Sequence, residues 1–163
     1  MEEITQKFID RYNYCPESGK LYYKKSRGNR KAGSEVGGLC LGYLTTKVDC
    51  KHFFVHRIIW AMNYGYLPDS VDHINGNKTD NRLCNLRECT HKENLRNRGR
   101  NTGRNLPKGV YKHGKKYLSK IRADGVEHYL GLFPNIKSAS DAYDEAAVRL
   151  HGDYAKLNNM TSL

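Results

Sequence analysis

Apolar and polar positions change period several times along the chain, and each change predicts an element. Ile4, Phe8, Ile9 and Tyr12 recur at helical spacing, which predicts a short amphipathic helix over residues 4–14. GKLYY, GYLTTKVD and HFFVHR then read as β segments between glycine-rich, basic turns, with a helix of about two turns after the phrase formed by His56, Arg57 and Trp60. Trp60 and Ile59 read as core. Turn signals at INGN (74–77) and at Asp80-Asn81 place a strand ending at Asp72 and His73, then a loop, then a short strand from Leu83 to Arg87. Thr90 followed by Glu93 reads as a capping box that opens a helix carrying Asn94.

Beyond residue 108 the pattern changes again. KGVYKHGKKYLSKIRADGVEHYLGLF gives three short β segments with turns at His113-Gly114 and Asp124-Gly125. Asn135 is a good helix N-cap, and Ala139, Ala142, Tyr143, Ala146 and Leu150 then form one apolar stripe that can lie across the sheet. The fold class is therefore α+β: a β-rich amino-terminal half through residue 96, a linker over 97–107 that lacks apolar periodicity, and a small three-stranded sheet packed on one helix over 108–158.

Charge narrows the class of partner. The chain has 163 residues and a formal net charge of +11, a balance that favours a polyanion through phosphate neutralisation and counterion release. An anionic membrane is the competing polyanion, but there is no long apolar run, signal-peptide pattern or lipidation motif. The basic residues cluster. Lys20, Lys24, Lys25, Arg27, Arg30 and Lys31 occur with no acid between them, and residues 91–108 contain Lys92, Arg96, Arg98, Arg100, Arg104 and Lys108 against Glu93. Together they suit a track for the DNA backbone. Five cysteines, an odd number with no CxxC pair, fit a disulfide framework poorly and point to a reducing cytoplasm. Lacking paired knuckles beyond Cys84 and Cys89, they also argue against a structural zinc.

Residues 71–98, VDHINGNKTDNRLCNLRECTHKENLRNR, concentrate the chemistry: a carboxylate, a candidate general base and two asparagines. His73 directly follows Asp72, Asn85 comes twelve residues later and Asn94 nine after that. The phrases DHINGN, DNR, NLR and ENLRNR resemble, in order, the HNH endonuclease (ββα-metal) motif, in the variant of phage and intron homing endonucleases whose third position is Asn. By that resemblance, which covers core residues 54–96, Asp72 and Asn94 hold one divalent cation, His73 activates the attacking water, and Asn85 ties the long loop down so that His73 stays oriented. YCPESGKLYYKK and FFVHRIIWAMNYG also resemble the amino-terminal part of phage HNH proteins. Arg57 is a candidate phosphate contact near the cut, while His56 beside an apolar run reads as a packed, hydrogen-bonded side chain.

Elementary chemistry agrees with these roles. A carboxylate and an amide oxygen form a hard, oxygen-only donor set that suits Mg²⁺ or Mn²⁺ better than zinc. An imidazole with an ordinary pKa of roughly 6.5 is mostly neutral near pH 7 and can accept a proton. Neighbouring strand residues point to opposite faces, so Asp72 and His73 can flank a phosphate from two sides.

The carboxy-terminal half carries a second resemblance. GVY, KIR, YLGLF, AYDEAA and HGDYAKLN are similar to the plant ethylene-response-factor (Apetala-two) domain, which also occurs fused to phage HNH endonucleases. That family reads DNA with the face of a three-stranded sheet, which implies contacts from Lys120, Arg122 and Tyr129. Lys108, Lys112, Lys115, Lys116, Lys120 and Arg122 lie in the first two strands without an intervening acid, whereas Asp141, Asp144 and Glu145 lie on the helix, so charge also favours the sheet side. Arg122 suits bidentate guanine contacts, and lysines such as Lys116 suit phosphates. Tyr111, Lys120, Glu127 and Tyr129 depart from the plant pattern, so the plant target sequence does not carry over.

Together these readings predict a site-specific, divalent-metal-dependent endonuclease acting on double-stranded DNA as a monomer or homodimer. One HNH site cuts one strand per engagement. A non-catalytic DNA-binding regulator that keeps an HNH fold is the alternative, and a nuclease for single-stranded or structured nucleic acid is a third possibility.

Overall fold

The computed structural model describes residues 2–90, 93–94 and 105–158, which fall into two compact units, 1–91 and 92–163. Both mix helix and strand, and each has its own apolar core.

In the first unit, helix α1 (Glu2–Arg11) ends earlier than its apolar spacing predicts. Tyr12 already belongs to strand β1 (Tyr12–Cys15), which pairs antiparallel with β2 (Lys20–Tyr23) in the register Tyr12 opposite Tyr23. Tyr12 is buried and Asn13 exposed, so period two has replaced period 3.6 at this point. A meander of β3 (Gly38–Cys40), β4 (Tyr43–Val48) and β5 (Lys51–Phe54) follows.

The run HFFVHR is strand only as far as Phe54, and helix α2 spans Val55–Tyr64. His56, Arg57 and Trp60 therefore lie within the helix, not ahead of it. Val55, Ile58 and Ile59, at offsets of three and four, are all fully buried, so helical periodicity begins inside the run that reads as β. Gly65, at φ 82°, closes the helix by donating its N–H to the Ala61 carbonyl at 2.9 Å. The core of this unit joins Val55, Ile58 and Ile59 of α2 with Phe8, Leu21, Val36, Val48 and Val71 in one cluster, and Phe8 meets Phe53 edge-on at 5.2 Å.

After α2, β6 (Val71–His73) pairs antiparallel with β7 (Leu86–Glu88), placing Asp72 opposite Arg87 and His73 opposite Leu86. The strand expected from Leu83 is shorter. Leu83–Asn85 form a 3-10 turn, closed by the Asn85 N–H on the Arg82 carbonyl at 2.8 Å, and the ladder starts at Leu86. Glu93 and Asn94 are helical, as the capping box predicts. Lys92, Arg96, Arg98, Arg100 and Arg104 lie outside the described residues.

The second unit contains β8 (Val110–His113), β9 (Lys116–Ala123) and β10 (Val126–Phe133) in the antiparallel order β10-β9-β8, and helix α3 (Ile136–His151). Asn135 caps α3 by accepting the Ser138 N–H at 2.9 Å. Ala139, Tyr143, Ala146 and Ala147 of α3 are buried, as is Ile121 of β9. Gly109 has φ 76°, and a Cβ there would lie 2.0 Å from the Tyr143 ring, so a glycine is required where chain and helix meet. Among the described residues, no helix is long and apolar enough to cross a membrane.

Candidate active site

All three residues of β6 are buried, and strand alternation sends Asp72 and His73 to opposite faces. The cross-strand register then decides the partner of Asp72. Arg87 stands directly opposite and donates from both Nε (3.1 Å) and Nη2 (2.8 Å) to the one oxygen Oδ2. Asp72 is thus a buried carboxylate held in a charge-assisted pair.

The segment between β6 and β7 is fastened by Asn85. Its Oδ1 accepts the Asn75 N–H at 2.9 Å, its Nδ2 donates to the Asp80 carbonyl at 2.8 Å, and its own carbonyl accepts the Ile74 N–H at 2.8 Å. One asparagine therefore joins both ends of the loop that follows His73. Asn75 adds a bond from Nδ2 to Asp80 Oδ2 at 2.8 Å. Asp80 also receives Arg82 through Nε and Nη2, each at 2.7 Å, and the guanidinium first of all holds the Asp80 carboxyl down at about 2.

One hydrogen-bond partner of His73 comes from a residue that reads in the sequence only as a turn former. Asn81 is fully buried, and its Oδ1 lies 2.9 Å from His73 Nε2. An amide oxygen can only accept, so this bond puts the ring proton on Nε2 and leaves Nδ1 as the basic atom. Tyr14 of β1 fixes the same segment: its hydroxyl accepts the Leu83 N–H at 3.0 Å and donates to the Asn81 carbonyl at 3.4 Å.

Two further rings close over His73. His56, from the first turn of α2, meets it edge-on with centroids 4.8 Å apart, and Tyr43 lies 6.0 Å away. His56 also stacks on Phe54 at 5.4 Å, and its Nδ1 is buried with no hydrogen-bond partner among the described residues. Burial, with help from the neighbouring His73 and Arg57, pushes the His56 imidazole down to about 3. Burial also holds His73 below the ordinary imidazole value, against the opposing pull of Asn81. Both rings are consequently neutral at pH 7.

Asp72, His73 and Asn85 thus all lie in the first unit, Asp72 and His73 on opposite faces of β6 and Asn85 fastening the loop after it, while Asn94, half-buried and helical, falls in 92–163. The Arg57 guanidinium donates from Nη2 to the Pro68 carbonyl at 2.6 Å, bracing the connection from α2 to β6. Among the described residues there is no cluster of three or more His, Cys, Asp or Glu side chains able to hold a metal. The chemistry of the donors still fits a hard cation, because a buried carboxylate and amide oxygens are the ligands such an ion takes. The five cysteines are free thiols.

In the second unit, Lys120 and Arg122 alternate with the buried Ser119, Ile121 and Ala123, and so lie on the sheet face away from α3. Tyr129 pairs with Lys120 and is well exposed. Glu127 reaches Lys120 Nζ at 2.9 Å, and that ammonium also lies 5.0 Å from the Tyr111 ring centre. Arg122 Nε donates to the Gly125 carbonyl at 3.3 Å, and Lys116 is exposed at the start of β9.

Comparison with known proteins bears on the first of these sites. Two proteins of Acanthamoeba polyphaga mimivirus, each named as an uncharacterized HNH endonuclease, are similar to this chain. One is 30% identical over 110 residues, which is 65% of this chain and 57% of the viral protein. The other is 30% identical over 82 residues, 48% of this chain and 24% of that protein. The chain thus spans little more than half of the first relative and about a quarter of the second. No solved structure matches. Residues 53–96 match a family described as HNH endonuclease, and this stretch contains α2, β6, the Asn85 loop and β7, and with them the buried His73.

Proposed function

We propose that this chain is a divalent-metal-dependent DNA endonuclease of the homing type, cutting with the His73 site and holding duplex DNA with its second unit. One observation carries the reading. Within the segment that matches the family, a buried neutral imidazole has its tautomer fixed by Asn81, adjacent along the strand to a buried carboxylate. His73 Nδ1 accepts a proton from the attacking water, and Asn81 and Asn85 keep ring and loop in register. Asp72 and Asn94 are the proposed ligands of one Mg²⁺ or Mn²⁺ ion. When bound, such an ion supplies charge stabilisation at the scissile phosphate and the leaving oxygen. With a net charge of +11, the chain suits the phosphate backbone. The strands and helix of the second unit support the Apetala-two-like reading, in which Lys120, Arg122 and Tyr129 face DNA and Lys116 and the linker arginines grip phosphates.

The test is supercoiled plasmid incubated with purified protein and Mg²⁺ or Mn²⁺. Nicked or linear product is expected, lost with EDTA and with His73→Ala. If no cleavage occurs with either ion, or if His73→Ala cuts as well as the unaltered chain, the catalytic reading fails. One observation favours a second reading: Asp72 already has its charge balanced by Arg87, which suits a DNA-binding protein that retains the fold without cutting. Tight, salt-dependent binding with no cleavage under any divalent ion would select that reading.

A further inference from the structure

The tip of the β3–β4 hairpin breaks two local rules at one residue. Cys40 pairs with Tyr43, so Leu41 and Gly42 form a two-residue turn, with φ 51° and 83°. Positive φ at both central positions is the pattern of a type I′ turn, whose first position favours Asn, Asp or Gly. Leu is strained there, because its Cβ crowds the backbone in the left-handed region. Leu41 is also 89% exposed, and Leu39, two residues earlier, is 70% exposed.

The same fold supplies internal controls. The β4–β5 turn has Asp49 at φ 48° as its first central residue, and the β9–β10 turn has Asp124 at φ 51° ahead of Gly125. Both place at their first central position the residue that turn chemistry favours, although the β4–β5 turn also holds Cys50 at φ 63° in its second. At the β3–β4 tip, turn chemistry and burial are both set aside to present a leucine to solvent, and such local violations concentrate at functional positions.

The tip adjoins the candidate active site. Lys78, from the loop after His73, extends its Nζ to 3.4 Å from the Leu41 carbonyl and 4.4 Å from the Tyr43 ring centre. Tyr43 in turn lies 6.0 Å from His73. An apolar point is thus joined to a cation and to the His73 pocket. Two leucines are too small a patch for a stable protein interface, which takes 20–30 residues a side. They do match an apolar wedge that enters between base pairs while neighbouring cations hold phosphates.

We propose that Leu41 is a wedge that inserts between adjacent base pairs of duplex DNA and unstacks them beside the scissile phosphate. The position of that step relative to a cut rests on the nuclease reading; the insertion itself does not. The tip would kink the duplex and bring one strand toward His73, with Lys78 holding the adjoining phosphate.

The experiment has three arms. In the first, relaxed closed-circular plasmid is incubated with protein and a metal-independent topoisomerase in EDTA, then deproteinised. Insertion unwinds DNA, so the unaltered chain is expected to leave negative supercoils. Leu41→Asn and Leu41→Gly, compared at equal bound protein, should leave roughly fivefold fewer, while Leu41→Phe retains the effect. The second arm measures melting. Leu41→Asn should match or exceed the unaltered chain, by roughly 2–4 °C, because Asn suits the turn. The third is nicking with Mg²⁺, where Leu41→Asn should be roughly tenfold slower.

Unwinding that persists in Leu41→Asn, no unwinding by the unaltered chain, or a lower melting temperature for Leu41→Asn would each overturn the wedge. Unwinding by the unaltered chain without nicking would remove the nuclease reading and leave the wedge standing.

Discussion

His73 Nε2 lies 2.9 Å from Oδ1 of Asn81, a side chain with no exposed surface. The bond selects the tautomer with Nδ1 as base, so on the proposed nuclease reading Asn81 would act on the reaction through His73. Asn81→Ala should slow nicking roughly 10–100-fold, as removing a partner that orients a functional histidine typically does. The pH profile separates this from simple damage. If His73 is the base, the neutral ring is the active form, so the rate should fall as pH drops through the His73 value, which burial holds below 6.5. Asn81 opposes that depression, and Asn81→Ala should therefore move the acid limb to lower pH. Asn81→Asp, whose carboxylate favours imidazolium, should move it higher. Identical limbs in all three proteins would remove Asn81 from the mechanism.

The same segment is braced by a distant turn. Gly19 has φ 69°, and a Cβ there would lie 2.5 Å from the Arg82 nitrogen and 2.7 Å from the Asn81 carbonyl carbon, both backbone atoms. Gly33 has φ 78° with open space around it, so it isolates the conformational cost of losing a glycine. Gly33→Ala should cost about 1 kcal/mol in urea unfolding, and Gly19→Ala about 3 kcal/mol because the chain carrying Asn81 must also shift. Nicking by folded Gly19→Ala should fall several-fold, with Gly33→Ala unaffected. Equal losses in both would show that Gly19 supports the turn alone.

How much of this was legible in the sequence depends on how local each feature is. The strand ending at Asp72 and His73, the loop after it, and the three strands, turns and Asn135 cap of the second unit follow from neighbouring residues, and they lie where those residues predict. The start of α2 was hidden because VHRII satisfies strand and helix patterns equally at its first residues. Asn85 has the residue type of a loop staple, but not the signal of the 3-10 turn that aims it. Asn81 and His56 were least legible. Asn81 sits in a polar run whose burial comes from Tyr14 and Gly19, more than sixty residues earlier, and His56 reaches His73 across the fold.

Stability of the first unit should fall in mild acid. The folded His56 imidazole titrates near pH 3, against an ordinary value of 6.5, and His73 is shifted in the same direction. Between those limits the unfolded chain binds a proton that the folded chain does not, so stability present above pH 6.5 is lost as pH falls toward 3. By pH 5 the loss from His56 alone should be about 2 kcal/mol. Trp60, the one tryptophan, is buried in this unit, so its fluorescence in urea titrations at pH 7 and pH 5 follows the unit directly. His56→Phe keeps the stacking without the titration and should flatten the dependence. An unchanged slope in that variant would assign the acid sensitivity elsewhere.

On the proposed metal-site reading, Arg87 and a divalent ion would compete for the charge of Asp72. Arg87 places two donors on Asp72 Oδ2 at 3.1 and 2.8 Å, and Asp72 is almost fully buried. Arg87→Leu takes that guanidinium from a buried carboxylate and should destabilise the first unit by about 3 kcal/mol in EDTA. A cation held by Asp72 would partly replace it, because a ligand that binds only the folded state raises its stability by mass action. Mg²⁺ or Mn²⁺ should therefore raise the melting temperature of Arg87→Leu more than that of the unaltered chain. Asp72→Asn combined with Arg87→Leu should abolish the metal effect and recover part of the lost stability, since no buried charge remains. A metal effect that is absent from Arg87→Leu, or that survives in the double variant, would show that Asp72 is not a ligand.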